Sequence, residues 1–205
     1  MSIQDQQRFD RAIALFDVAN AADPNRDEGQ PKELLYAMRM TEMIGRYAPE
    51  ASEAAQLAVR AQHIRRWTVP RSSQPMTREG YLAWRTGLYK FHAETAGALM
   101  QQAGYDEDMI GQVKAAVGKR GLKVNPDTQM LEDVTDLVFL EHYLLGFAQA
   151  KPDYDETKWL DIIRKTWRKM SARARAFATG GGIRLPEPLM PLILKAISLQ
   201  HDVQP

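Results

Sequence analysis

Apolar residues recur at three- and four-residue steps along almost the whole chain, and strand-like alternation of apolar and polar residues is scarce. That spacing buries one stripe of a helix and leaves the rest wet, so the chain is expected to be all-α. Breaker-rich stretches divide the pattern: "DPNRDEGQP", Pro49, "TVPRSSQP", Gly104, "GKRGLKVNPD", "KPDYDE" and "TGGGIRLPEP". Helices are predicted over about 4–21, 32–47, 50–66, 77–103, 106–118, 127–149 and 155–178, with a short terminal one in "PLMPLILKAISLQ". Thr77 should cap the fourth helix and Gly104 should end it. A chain of 205 residues is long enough for one well-buried domain. The expectation is a single compact multi-helix bundle over residues 1–179, with 180–205 as a linker and helical appendage.

The chain has no cysteine, which excludes disulfides, thiolate nucleophiles and cysteine-ligated metal centres. Any metal site must then use His, Asp and Glu. With 27 basic and 26 acidic residues, bulk charge argues for neither nucleic acid nor an acidic membrane, and any positive patch must be local. The start, "MSIQDQQRFDRAIALF", carries early charges and no apolar core of a signal peptide. No run of about 18 apolar residues is present to span a membrane, so a cytoplasmic location is expected.

The clearest local charge is "RAQHIRRWTVPR", residues 60 to 71, with four arginines and no acid around one imidazole. Glu53, Gln56, Arg60, His63 and Trp67 follow at steps of three and four and so share a stripe beside the core stripe of Ala54, Leu57, Ala61 and Ile64. His63 should therefore stand at the border between core and water. On the fourth helix Arg85 and His92, seven apart, share a face next to Trp84, Leu88 and Phe91. The sixth carries Glu132, Asp133 and Asp136 near its start, where a helix favours negative charge, and Glu141 at core spacing. The seventh carries Arg164, Lys165, Arg168, Lys169, Arg173 and Arg175, which read first as a solvated face and only then as an RNA-binding one.

"ELLYAMRM", "ASEAAQLAVRAQHIRRWTVPR", "GYLAWRTGLYKFHAE", "QMLEDVTDLVFLEHY" and "IIRKTWRKMS" together resemble the uncharacterised family catalogued as domain of unknown function 4202. The likeness runs from about Phe9 to Ser171, leaves the tail from Gly180 uncovered, and implies no established activity. A weaker likeness is to the HD-domain superfamily of metal-dependent phosphohydrolases. In it Tyr36 stands where a histidine ligand is usual, Arg39 matches an arginine, and His63 is in place. Ile64 replaces the bridging aspartate, while Asp133 or Asp136 is the candidate later aspartate. That likeness implies an HD-like bundle in which His63, His92, Glu132 and Asp133 could hold one divalent ion: manganese, iron, zinc or magnesium. Glu53 would orient His63 or act as a general base, and Arg60, Arg66, Arg71 and Arg85 would bind the substrate's charge.

The leading expectation is thus a metal-dependent hydrolase of a phosphorylated or otherwise anionic small molecule. The second is a non-catalytic nucleotide- or anion-binding module on the same scaffold, which tolerates Tyr36 and Ile64 without strain. RNA association through the seventh helix ranks third, and neither DNA nor a membrane is expected as a partner.

Overall fold

A computed structural model describes residues 3–198. Among them the chain is all-α apart from one two-residue hairpin. The helices are α1 (Gln6–Ala21), α2 (Lys32–Tyr47), α3 (Glu53–Ala61), α4 (Arg78–Ala103), α5 (Glu107–Val117), α6 (Pro126–Val138), α7 (Leu144–Gln149), α8 (Glu156–Lys169), α9 (Ala172–Thr179) and α10 (Met190–Ser198). A π-helical turn, Phe139–Tyr143, lies between α6 and α7. Helix starts follow side-chain chemistry: Asp5, Ser52, Thr77, Asp106, Asp155 and Ser171 each accept a first-turn backbone N–H. Gly104, at φ 94°, closes α4 in the left-handed conformation expected of it.

Contacts divide the chain into two compact units, Met1–Leu131 and Glu132–Pro205. In the first, α4 lies along α5 and α1, and α3 packs on α2 and α5. Phe16, Met40, Met43, Leu57, Ile64, Met100 and Val113 are fully buried among them. A hairpin of Arg26–Asp27 with Gln30–Pro31 turns through Glu28 and Gly29, both at positive φ. Arg39 of α2 pairs with the Asp27 and Glu28 carboxylates of that hairpin.

In the second unit α10 packs on α8, with Ile193 and Ala196 buried. Residues after Gly180 thus contribute to the core of this unit. Two predicted helices are also broken. The third stops at Ala61 because Arg65 takes a left-handed turn (φ 54°). The seventh splits at Met170, which turns extended so that Ser171 can cap α9.

Candidate functional site

His63 lies just past the last turn of α3, and His92 lies in the middle of α4. Leu57, Ala61 and Ile64 are buried in the core as the spacing required, which fixes the turn 62–65 against α4. The two imidazoles meet, with ring centroids 5.8 Å apart. Tyr36 of α2 stacks on His63 at 4.3 Å, its ring tilted by 15°. Tyr36 thus covers one face of the imidazole.

Each ring is held by one nitrogen. His63 Nδ1 lies 3.3 Å from the buried Glu33 Oε2 and hydrogen-bonds to that carboxylate. His92 bonds to the backbone of Gln62, and its Nε2 is buried without a protein partner. The Nδ1–H of His92 is therefore the group that donates to the Gln62 carbonyl, which leaves Nε2 as a bare lone pair. The carboxylate makes the same choice for His63, so both rings present Nε2 as an acceptor.

Both rings are also kept neutral. Burial lowers His63, Arg66 and Lys119 lower it further, and Glu33 opposes them. His92, 3% exposed, is pushed down to about 2, by burial first and then by His63 and Arg66, against the Gln62 backbone bond. Arg66 lies 3.9 Å from Glu33 Oε1 and stacks 5.2 Å from the Trp84 ring. Two further buried polar atoms meet this turn. Asn20 accepts the Arg65 N–H through Oδ1, while its Nδ2 has no partner, and Gln62 Oε1 has none either.

The remaining expected residues are placed elsewhere. Glu53 accepts from Tyr105 Oη at 2.6 Å and from the Gln4 N–H at 3.0 Å. Its ten-residue offset from His63 corresponds to about 15 Å along a helix axis, and the acid that orients His63 is Glu33 instead. Arg60 is bidentate on Asp17, 2.7 Å for each bond, and also donates to Thr41 Oγ1 and the Ala37 carbonyl. Arg71 donates to the Gln74, Pro75 and Thr77 carbonyls and so ties its own loop. Arg85 donates to Tyr89 Oη. Arg66 acts electrostatically on both imidazoles.

In the second unit Lys169 binds Glu132 at 2.7 Å and Asp136 at 2.6 Å. Burial disfavours its charge, but the two carboxylates outweigh that and raise its pKa. Asp133 accepts from the Ser171 N–H and Oγ–H and fixes the start of α9. Glu141 accepts from the Arg184 backbone N–H at 2.8 Å and lies 3.5 Å from His142 Nε2. Among the described residues no three His, Asp or Glu side chains are grouped to hold a metal ion. A cleft of about 490 Å³ in the first unit, lined by Ile13, Asp17, Thr41 and Ile44 among others, includes neither histidine.

Sequence reasoning found the two histidines and Arg66 but missed Glu33, Gln62, Asn20 and Lys119. The one available signal was spacing: Glu33 precedes Tyr36 by three and so shares its helical face. Among the described residues no helix is long and apolar enough to cross a membrane. Neither the curated proteins nor the solved structures provide a match. The family model for domain of unknown function DUF4202 matches residues 10–193, past the end expected at Ser171, and the chain belongs to that family.

Proposed function

We propose that the first unit binds a phosphorylated small molecule of nucleotide type beside the His63–His92 pair. The observation that carries this reading is the buried, partnerless Nε2 of His92 beside the Arg66 guanidinium. A neutral acceptor so placed calls for a ligand hydroxyl or N–H. Arg66 and Lys119 supply positive charge for its phosphate, and Asn20 Nδ2 and Gln62 Oε1 offer one more donor and acceptor. A nucleoside phosphate carries all of these complementary groups. Thermal unfolding in EDTA with inorganic phosphate and a panel of nucleoside mono- and diphosphates tests the reading. A ligand-dependent rise in Tm is expected, lost in Arg66→Ala. No rise with any phosphorylated compound would refute it.

A metal-dependent phosphohydrolase is the second reading. It is favoured by the anchored Nδ1 and bare Nε2 of His92, the arrangement of a metal-ligating histidine. Against it stand the cations beside both rings and the engagement of Glu132 and Asp133 by Lys169 and Ser171. Metal analysis of gently purified protein, with stabilisation by manganese, iron, zinc or magnesium that disappears in His92→Leu, would move the balance to this reading.

A further inference from the structure

The segment that joins the two imidazoles, residues 62–92, carries Arg65, Arg66, Arg71, Arg78, Arg85 and Lys90 against the single acid Glu79. The chain as a whole is almost neutral, so this is a local concentration of positive charge. Aromatic rings are interleaved with it. Arg66 lies over Trp84 at 5.2 Å, Arg71 over Tyr81 at 5.9 Å and Arg85 over Tyr89 at 5.7 Å, while Tyr81 and Trp84 stand 6.1 Å apart. The first turns of α4 are exposed nearly all round, Tyr81 by 44% and Leu82 by 51%. The arm is nevertheless held in shape: Trp84 Nε1 donates to the Val69 carbonyl, and Arg71 clamps three loop carbonyls.

We infer that this arm is a docking surface for single-stranded nucleic acid. Charge complementarity selects a polyanion. The guanidinium–ring pairs select one that brings flat bases as well as phosphates, since every base offers a face to stack and every phosphate a partner for arginine. Arg66 belongs both to the arm, through Trp84, and to the histidine pocket. A strand on the arm therefore leads to the pocket, and a terminal nucleotide would enter it. That last step rests on the nucleotide reading of the pocket, whereas binding to the arm does not. RNA and DNA strands share the recognised chemistry, and the test separates them.

The experiment measures anisotropy of fluorescein-labelled U12 RNA, T12 DNA and a 12-base-pair duplex, in EDTA at 50 and 200 mM KCl, with the full-length protein. Single strands should bind more tightly than the duplex. With Arg66, Arg78, Arg85 and Lys90 each meeting a phosphate, affinity should fall about 50-fold across that salt step. Tyr81→Ala, at a side chain 44% exposed, should weaken binding about tenfold. Arg85→Ala should lower the salt dependence by about one phosphate. A higher affinity for U12 or for T12 assigns the strand as RNA or DNA. No strand binding, with nucleotide stabilisation intact in the same preparation, would overturn the arm and leave the pocket standing. Binding that is indifferent to Tyr81→Ala and displaced equally by polyglutamate would also overturn it, in favour of an acidic protein surface. Capture by phosphatidylserine vesicles without strand binding would do the same in favour of a membrane.

Discussion

The low pKa of His92 makes acid sensitivity a direct test of how this imidazole is buried. In the unfolded chain the imidazole titrates at its ordinary value of 6.5, whereas the folded protein holds it at about 2. Between those values the unfolded state carries a proton that the folded state refuses. Stability from this group is therefore complete above pH 6.5 and is lost as pH falls toward 2. The slope is about 1.4 kcal/mol per pH unit for one proton. From pH 7 to pH 5 His92 should thus remove about 2 kcal/mol, and the figure hardly changes for any folded pKa below about 4. With a side chain 3% exposed, little of this is screened by solvent. The assay is urea unfolding followed by circular dichroism at both pH values, for the wild type and His92→Gln. The glutamine keeps a donor for the Gln62 carbonyl but cannot titrate. His63 is lowered too, so the variant should retain part of the pH dependence, and the difference between the two proteins isolates His92. Equal losses of stability in both proteins would refute the burial argument and the assignment of the bare Nε2.

Arg60→Ala should lower stability by about 2 to 3 kcal/mol, at the lower edge for a broken buried pair because the Asp17 side chain is 32% exposed. The same variant should leave nucleotide stabilisation unchanged, as denaturation with and without ligand would show. Gly80→Ala should destabilise by about 1 to 3 kcal/mol, because its Cβ would lie 2.1 Å from the Pro75 carbonyl oxygen. Gly87→Ala, on the same helix with nothing within 4 Å, should instead stabilise by about 0.5 to 1 kcal/mol, and thermal melts of the pair decide. Asp133→Ala strips the Ser171 N–H and hydroxyl of their partner and should cost about 1 to 3 kcal/mol, with hydrogen exchange rising first in α9.

The helical course of this chain could be read from local chemistry because helix signals are local. Asp5, Thr77 and Gly104 act on their own turns, and the spacing of Leu57, Ala61 and Ile64 needs no distant partner. The meeting of His63 and His92 was legible for the same reason: each stands at the edge of a core stripe, and two packed helices bring such edges together. The partners were not legible. Asp17 claims Arg60 from 43 residues away, and Glu33 reaches His63 from another helix. The arginine cluster of residues 60–71 is split among a strut, a loop clamp and a cation beside the imidazoles, roles that charge counting cannot separate. At the break at Met170, Ser171 caps α9 locally and is also held by Asp133 from 38 residues away, a partner that spacing does not reveal.

Polar groups buried in the first unit are, for the most part, met by the protein itself. Arg60 has four acceptors' worth of bonds, Glu53 has Tyr105 and the Gln4 amide, and Asp23 takes the Asn25 amides and the Glu33 N–H. The fold is thus able to satisfy such groups. At the turn after α3 it leaves Asn20 Nδ2, Gln62 Oε1 and His92 Nε2 without protein partners, at about 1 to 3 kcal/mol each. Together those penalties are a large share of the 5 to 15 kcal/mol that holds an ordinary domain folded. Packing does not require them, because a leucine at position 92 would fill a similar space with no polar atom to leave unmet. Three such atoms lie at one turn, beside two imidazoles held below their ordinary pKa and two cations.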